Sequence, residues 1–455
     1  MLSDPFRRAS QTVLGRIVRN PARLVVVAFV VFVGIGTLLL RLPIALDNGP
    51  HPGISHALFT ATSAGTVTGL STVDVERWSL FGELVLLGLI QIGGFGIMTI
   101  GSVLGLVASQ RIGLRQRIRA RAEIGAIDVG ELKTLIKAMA KVTLAVEAAV
   151  FVVLFLRWWL TDVEGPRRAA YSALFHAVSA FNNAGISLQS DSFVPFAGDA
   201  VTLLTISAAF IVGGFGFPVL IELYRRTPMR RWSLHARITI LATVALLVVA
   251  PLLIGIFEWR NPATLGRLGT GDSVLGAWFQ GATPRTAGFN TFDFGEAHEP
   301  TKLLTTALMF IGAGPASTSG GIKITTFAML GYVLWTEIRG DTEVMLFRRR
   351  IPGTVIRQGV AVVLLAIGTV MVTAIGLLFF DHDIRVGDAL FEAASAFGTV
   401  GLSTGITAGL PTLGHLLLVL VMLAGRVGPV TMATALALRH SPRLYNYPEE
   451  RPIIG

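Results

Sequence analysis

Four stretches of this chain repeat one pattern of residue types, and the pattern suits coordination by backbone oxygens rather than acid–base or covalent chemistry. They are LFTATSAGTVTGLST ending at Thr72, LFHAVSAFNNAGISL ending at Leu188, AWFQGATPRTAGFNT ending at Thr291 and LFEAASAFGTVGLST ending at Thr404. Each contains a central glycine: Gly69, Gly185, Gly288 and Gly401. Ten residues earlier lies Phe59, Phe175, Trp278 or Phe391, and six residues earlier lies Ser63, Ser179, Ala282 or Ser395. Glycine accepts backbone angles closed to other residues and puts no side chain between its carbonyl and an axis. Carbonyls around Val67, Thr68 and Gly69, around Asn183, Ala184 and Gly185, around Thr286, Ala287 and Gly288, and around Thr399, Val400 and Gly401 would together replace the hydration shell of a monovalent cation. The C-terminal ends of the short helices expected before them add partial negative charge. No Asp or Glu stands at or immediately before the glycines, which argues against a divalent site of acidic side chains.

Other chemistries find less support. The chain has no cysteine, so disulfides, thiolate nucleophiles and cysteine metal sites are excluded. His56, His176 and His298 occupy dissimilar positions, and no His, Asp or Ser cluster forms at one level to activate a nucleophile, so an enzyme is not expected. The run GAGPASTSGG lacks the Gly-Lys-Ser/Thr ending of a phosphate loop, and there is no dinucleotide-binding unit; this chain should bind no nucleotide itself.

The elements that must position the four segments are membrane helices. Of 455 residues, 52% are hydrophobic and 15% charged, and residues 24–40, 84–110, 200–221, 238–257 and 358–380 carry no charge, each near the roughly 20 residues that span hydrocarbon. Residues 24–40 read as a first span and not as a cleavable signal. The formal charge of +10 is topological rather than a nucleic-acid footprint. Residues 1–23, 109–141, 225–237, 339–357 and 439–455 hold 26 of the 38 Lys and Arg, which places them and both termini in the cytoplasm. Such a surface also suits anionic lipid head groups or an acidic partner.

The glycine-to-glycine spacings of 116, 103 and 113 residues allow two spans plus one segment per unit, and an apolar portion of about ten residues is too short to cross, so it fits a re-entrant hairpin. The expected fold is all-α: eight transmembrane helices and four re-entrant helices in four parallel repeats, residues 1–110, 111–225, 226–340 and 341–455, around a pseudo-fourfold pathway. The later helices also repeat small residues, in QIGGFGIM, IVGGFGFP, FIGAGPAS and LAGRVGPV, which on their own are equally explained by close helix packing. A secondary transporter with a midplane site is the alternative, since broken helices occur there too, although inverted repeats would favour it.

Two features stand out at membrane depth. In the third unit an apolar helix is interrupted by GAGPASTSGGIK, residues 312–323; Pro315 has no amide donor and the glycines are poor helix formers, so the span should split. Arg426 lies inside the last apolar helix, where an isolated charge is expensive and marks a functional candidate. Glu147 is the other charge at this depth, and packing or pairing accounts for it better than ion binding.

These segments resemble the superfamily of the TrkH, KtrB and plant HKT potassium transporters over nearly the whole chain, and the start directly at the first repeat is most similar to the KtrB-type membrane subunit. The resemblance implies potassium as the transported ion, because Ser in the first repeat accompanies sodium transport in some plant members and this chain has Gly69. It implies a gate below the filter formed by Gly314, Ser317, Thr318, Ser319, Gly320 and Gly321 with Lys323 near its end, restricted further by Arg426. It also implies a homodimer in a bacterial cytoplasmic membrane, with SPRLYNYPEER from Ser441 near an interface. A cytoplasmic ring of nucleotide-binding regulatory proteins is implied as well, which residues 111–121 and 348–350 could contact. Sodium dependence is left open.

Overall fold

The computed structural model describes residues 21–47, 53–110, 129–161, 165–226, 228–341 and 343–428. Within them the regular elements are helices apart from one two-stranded hairpin. In order the helices are α1 (Pro21–Leu40), α2 (Ile54–Gly65), α3 (Leu80–Gln110), α4 (Val129–Leu160), α5 (Pro166–Phe181), α6 (Ala200–Phe215), α7 (Phe217–Tyr224), α8 (Leu234–Glu258), α9 (Thr270–Ala282), α10 (Glu299–Phe310), α11 (Ile324–Arg339), α12 (Gly353–Phe380), α13 (Val386–Gly398) and α14 (Thr412–Val427). Residues 111–121 and the SPRLYNYPEER segment lie outside the described residues.

Ile136–Leu160, Leu234–Glu258 and Gly353–Phe380 are long and apolar enough to cross a bilayer, and Val25–Leu40, Leu80–Gly96 and Thr412–Val427 are shorter apolar helices. Large apolar side chains such as Leu38, Ile256 and Phe379 stay exposed along them, as expected where the surrounding solvent is lipid. Helix starts follow local chemistry. The Asp199 carboxylate accepts from the amides of Val201 and Thr202 at the head of α6, and the Ser233 hydroxyl accepts from Ala236 at the head of α8.

The short helices α2, α5, α9 and α13 form the buried centre. Each packs against the long helix preceding it, α1, α4, α8 and α12 respectively, and each also receives the helix that closes the neighbouring unit: α3 on α5, α6 on α9, α10 on α13, and α14 on α2. This last contact joins the end of the described chain to its beginning, so the arrangement is a closed ring.

The third unit is interrupted as the sequence leads one to expect: α10 ends at Phe310 and α11 begins at Ile324, with non-helical chain between. A second break was not anticipated. Between α6 and α7 the path turns by 103° at Gly216, whose φ is +82°. The cause is the loop of the third unit: the Phe217 amide donates to the Ala316 carbonyl at 3.1 Å, and a Cβ on Gly216 would run into the Pro315 carbonyl.

The hairpin, β1 (Met345–Leu346) and β2 (Arg349–Arg350), pairs antiparallel with Leu346 opposite Arg349. Phe347 and Arg348 turn it with φ of +50° and +63°, the left-handed pair a two-residue turn needs. Arg348, Arg349 and Arg350 are all exposed.

Candidate functional site: a ring of glycine returns above an intramembrane loop

Each short helix ends and the chain turns back with the same alternation. Val67, Asn183, Thr286 and Thr399 have positive φ, and two residues later so do Gly69, Gly185, Gly288 and Gly401. The residue between each pair, Thr68, Ala184, Ala287 or Val400, does not. These returns converge. A Cβ on Gly69 would meet the Ala184 carbonyl and Gly401; on Gly185 it would lie 2.8 Å from the Cα of Gly288; on Gly288 it would meet the Val400 carbonyl; on Gly401 it would meet the Thr68 carbonyl and lie 2.9 Å from the Cα of Gly69. All four glycines therefore stand edge to edge around one axis, where no side chain fits.

The recurrent serine is explained by how the return is held. In the first unit the Ser63 carbonyl accepts from the Thr68 amide at 2.7 Å, and its hydroxyl accepts from the Gly69 amide at 3.0 Å. Ser395 does the same for Val400 at 2.9 Å and for Gly401 at 3.1 Å. In the second unit the Ser179 carbonyl accepts from Ala184 at 2.8 Å, while its hydroxyl donates to the Ile186 carbonyl at 2.6 Å. Amides spent in this way face away from the axis and leave carbonyls for it.

The third unit differs from its sequence alignment. There the Thr283 carbonyl, not that of Ala282, accepts from Ala287 at 2.9 Å, and the Thr283 hydroxyl donates to the Phe289 carbonyl at 2.7 Å. The return is one residue shorter, so Thr283 and fully buried Phe279 take the places that Ser63 and Phe59 hold in the first unit. Trp278, aligned by spacing alone, instead lines a groove with Pro251 and Trp259.

On one side of the glycines lies a cavity of about 310 Å³ lined by all four of them and by Asp74, Asp191 and Asp293. Sequence reasoning missed these three carboxylates, although a signal was present: they follow their glycines by five, six and five residues, while the fourth unit has Ile406 there.

Residues 311–323 run between the helices next to the returns. Gly314 donates to the Gly214 carbonyl at 2.8 Å and Thr318 to that of Gly213 at 3.4 Å. The Thr318 hydroxyl donates to the Phe181 carbonyl at 3.3 Å, which is the last residue of α5. A Cβ on Gly320 would strike the Thr399 hydroxyl, and Gly321 takes a φ of +64° beside Gly398. The loop braces itself: the Ser317 and Ser319 hydroxyls share a hydrogen bond of 2.7 Å, the Ser319 hydroxyl accepts from Ala313 at 3.1 Å, and Lys323 Nζ donates to the Ser319 carbonyl at 2.6 Å.

Arg426 reaches this loop from α14. It is buried; one guanidinium nitrogen donates to the Thr318 carbonyl and the other to the Gly93 carbonyl of α3 at 3.5 Å. Every gate residue named from the sequence thus lies in one contiguous group beneath the glycine returns.

The repeated small residues of the later helices have a specific use. A Cβ on Gly93 would collide with the Gly65 carbonyl, on Gly213 with that of Phe181, and on Gly425 with that of Phe397. In three units a glycine lets the helix pass against a buried C-terminal carbonyl of that unit's short helix; in the third, Gly312 meets Gly320 of the loop.

Comparison with known proteins agrees with this architecture. The family model described as TrkH, cation transport protein, matches residues 6–447. The Ktr system potassium uptake protein B of Vibrio alginolyticus is 38% identical over 95% of this chain and 94% of its own length, and that of Bacillus subtilis 37% identical over 96% and 97%. The potassium/sodium uptake protein NtpJ of Enterococcus hirae is 31% identical over 96% and 97%. The crystal structure of the potassium transporter TrkH from Vibrio parahaemolyticus shares the fold, with a TM-score of 0.73 at 20% identity over 92% of this chain and 85% of that one. A multi-pass membrane protein with the ring and loop described here, matched along nearly its whole length, belongs to the TrkH family of cation transport proteins.

Proposed function

We propose that this chain is the pore-forming subunit of a potassium uptake system, passing K⁺ inward through a filter of backbone carbonyls and past a gate made by residues 312–323 and Arg426. The observation that carries this reading is the edge-to-edge approach of Gly69, Gly185, Gly288 and Gly401. Four returns with alternating φ give a ring of carbonyls, and the short helices α2, α5, α9 and α13 point their C-terminal partial charges at the same axis. Val67, Thr68, Asn183, Ala184, Thr286, Ala287, Thr399 and Val400 contribute the remaining filter backbone. Potassium rather than another cation follows from the relatives, which are named for potassium uptake; Enterococcus NtpJ is named for both potassium and sodium.

In this reading the chain forms four parallel units, residues 1–110, 111–225, 226–340 and 341–455, with eight spans, both termini in the cytoplasm and the carboxylate-lined cavity outside. It sits in a bacterial inner membrane as a homodimer. Relatives named as parts of a Ktr system support a second, regulatory component, a cytoplasmic nucleotide-binding ring that the exposed Arg348–Arg350 turn would meet. Inward flux draws on the membrane potential, worth about 2.3 kcal/mol per charge per 100 mV, so no hydrolysis by this chain is required.

The test is cation flux in proteoliposomes loaded with potassium, sodium or rubidium. Potassium and rubidium flux above sodium, increased by deleting residues 314–320, supports the reading. A chain that moves no cation, with or without a regulatory partner, overturns it in favour of a secondary transporter.

A further inference from the structure

We infer that Glu147 is a positioning residue for the second unit's filter return, acting through Gln91 and Asn182. Glu147 lies in the middle of the α4 span, is 6% exposed, and enters no ion pair among the described residues. A carboxylate at this depth is costly unless hydrogen-bonded. Its partners are two side-chain amides: Gln91 Nε2 donates to Oε2 at 3.4 Å and Asn182 Nδ2 to Oε1 at 3.2 Å. The two N–H groups of Asn182 are shared among three acceptors, since Gln91 Oε1 at 2.9 Å and the Val178 carbonyl at 2.9 Å lie within reach as well. Three elements are tied at one point: α3 of the first unit, α4 of the second, and the end of α5.

That point is the base of the filter. Asn182 is the C-cap of α5 and the residue before Asn183, whose φ of +58° starts the return through Ala184 to Gly185. Its side-chain oxygen occupies the space left by Gly94, where a Cβ would overlap it; Gly94 lies one turn from Gln91 on the same face of α3. Gln91, Gly94, Glu147 and Asn182 therefore form one matched set. It belongs to the second unit alone, because the position of Asn182 is filled by Thr66, Arg285 and Gly398 in the others. Removing the carboxylate leaves the Gln91 amide without its acceptor and takes one of three acceptors from the Asn182 amide, which loosens the Gln91–Asn182 pair and the return that Asn182 caps.

The inference rests on the filter reading, so the experiment separates the two. Purified Glu147→Leu, Glu147→Gln, Asn182→Ala and the Glu147→Leu/Asn182→Ala pair are reconstituted, and the ratio of potassium to sodium flux and the half-saturating potassium concentration are measured against Gly185→Ser. Glu147→Leu and Asn182→Ala should each lower the ratio about tenfold, the size of one hydrogen bond to a charged group. The pair should do no more than either alone, and Glu147→Gln, which keeps one acceptor, should recover part of the loss. Glu258→Gln, which removes the charge of a buried carboxylate held by Asn261 and Thr264 at the outer end of α8, should lower thermal stability and leave the ratio alone. Glu147→Leu and Asn182→Ala proteins that elute as folded species with an unchanged ratio and half-saturation, while Gly185→Ser loses selectivity, overturn the positioning role. An equal change in Glu258→Gln overturns it too. An unchanged ratio in Gly185→Ser instead removes the filter reading itself.

Discussion

The guanidinium of Arg426 on α14 donates to the backbone carbonyl of Thr318 in the intramembrane loop, joining the last described helix to the segment that lies under the glycine returns. The same side chain reaches the Gly93 carbonyl, so one cation bridges the first, third and fourth units and satisfies a carbonyl that the broken helix cannot.

If that bridge holds the loop closed, Arg426→Ala should raise potassium flux of the subunit alone. Hydrogen bonds from charged groups are worth about 1.5–3 kcal/mol, so the open population should rise about 10- to 100-fold. Arg426→Lys keeps the charge but not the fork and should fall between. Flux at fixed protein content reads both, and a drop in either variant counts against the closed-state role.

The carbonyl clamps predict a pattern across the units. Ser63→Ala and Ser395→Ala each remove the acceptor for the Gly69 or Gly401 amide and, under the proposed carbonyl filter, should weaken potassium selectivity several-fold, about 1 kcal/mol each. In the third unit Thr283→Val should do the same, whereas Ala282→Ser should be close to neutral. Rubidium and sodium competition against potassium uptake checks all four, and sensitivity at position 282 instead of 283 would restore the alignment made by spacing alone.

That offset marks what the sequence makes legible and what it hides. The four glycines, the serines that precede three of them and the break at residues 311–323 all follow from residue type and spacing, because backbone angle and helix propensity are local. A one-residue shortening inside TPRTAG preserves the glycine while moving the clamp to Thr283, and only the hydrogen bonds reveal it. The bend at Gly216 is set by a contact with Pro315 about a hundred residues away, and the Glu147 cluster joins residues 91, 147 and 182, so neither leaves a local trace. Asp74, Asp191 and Asp293 do leave a regular spacing after their glycines, but acidic residues are ordinary in exposed turns, so the spacing alone does not mark a shared cavity.

Those carboxylates line the cavity beside the glycines and, in the proposed orientation, should concentrate cations at its mouth. Asn at all three positions should lower uptake at limiting potassium and low ionic strength, and the deficit should fade as salt approaches about 0.5 M, where the screening length falls to a few ångströms. A deficit that persists unchanged in high salt would point to a structural role in the outer turns.

The glycine contacts behind the short helices predict a cost in stability. Gly425→Ala places a methyl against the Phe397 carbonyl and Gly93→Ala against that of Gly65; each should destabilise by about 1–3 kcal/mol through overpacking. Gly88→Ala and Gly368→Ala, with open space at the added carbon, should be neutral or slightly stabilising in their helices. Thermal unfolding in detergent compares the four, and equal midpoints would mean the helices shift freely.

The most direct test of the account is the potassium-to-sodium flux ratio of reconstituted Gly69→Ser protein beside the unaltered chain. A carbonyl filter built from all four returns predicts that the unaltered chain prefers potassium and that Ser at position 69, forced against the Ala184 carbonyl and Gly401, brings the ratio towards unity while the protein remains folded. A folded Gly69→Ser protein that keeps the full potassium preference would contradict it.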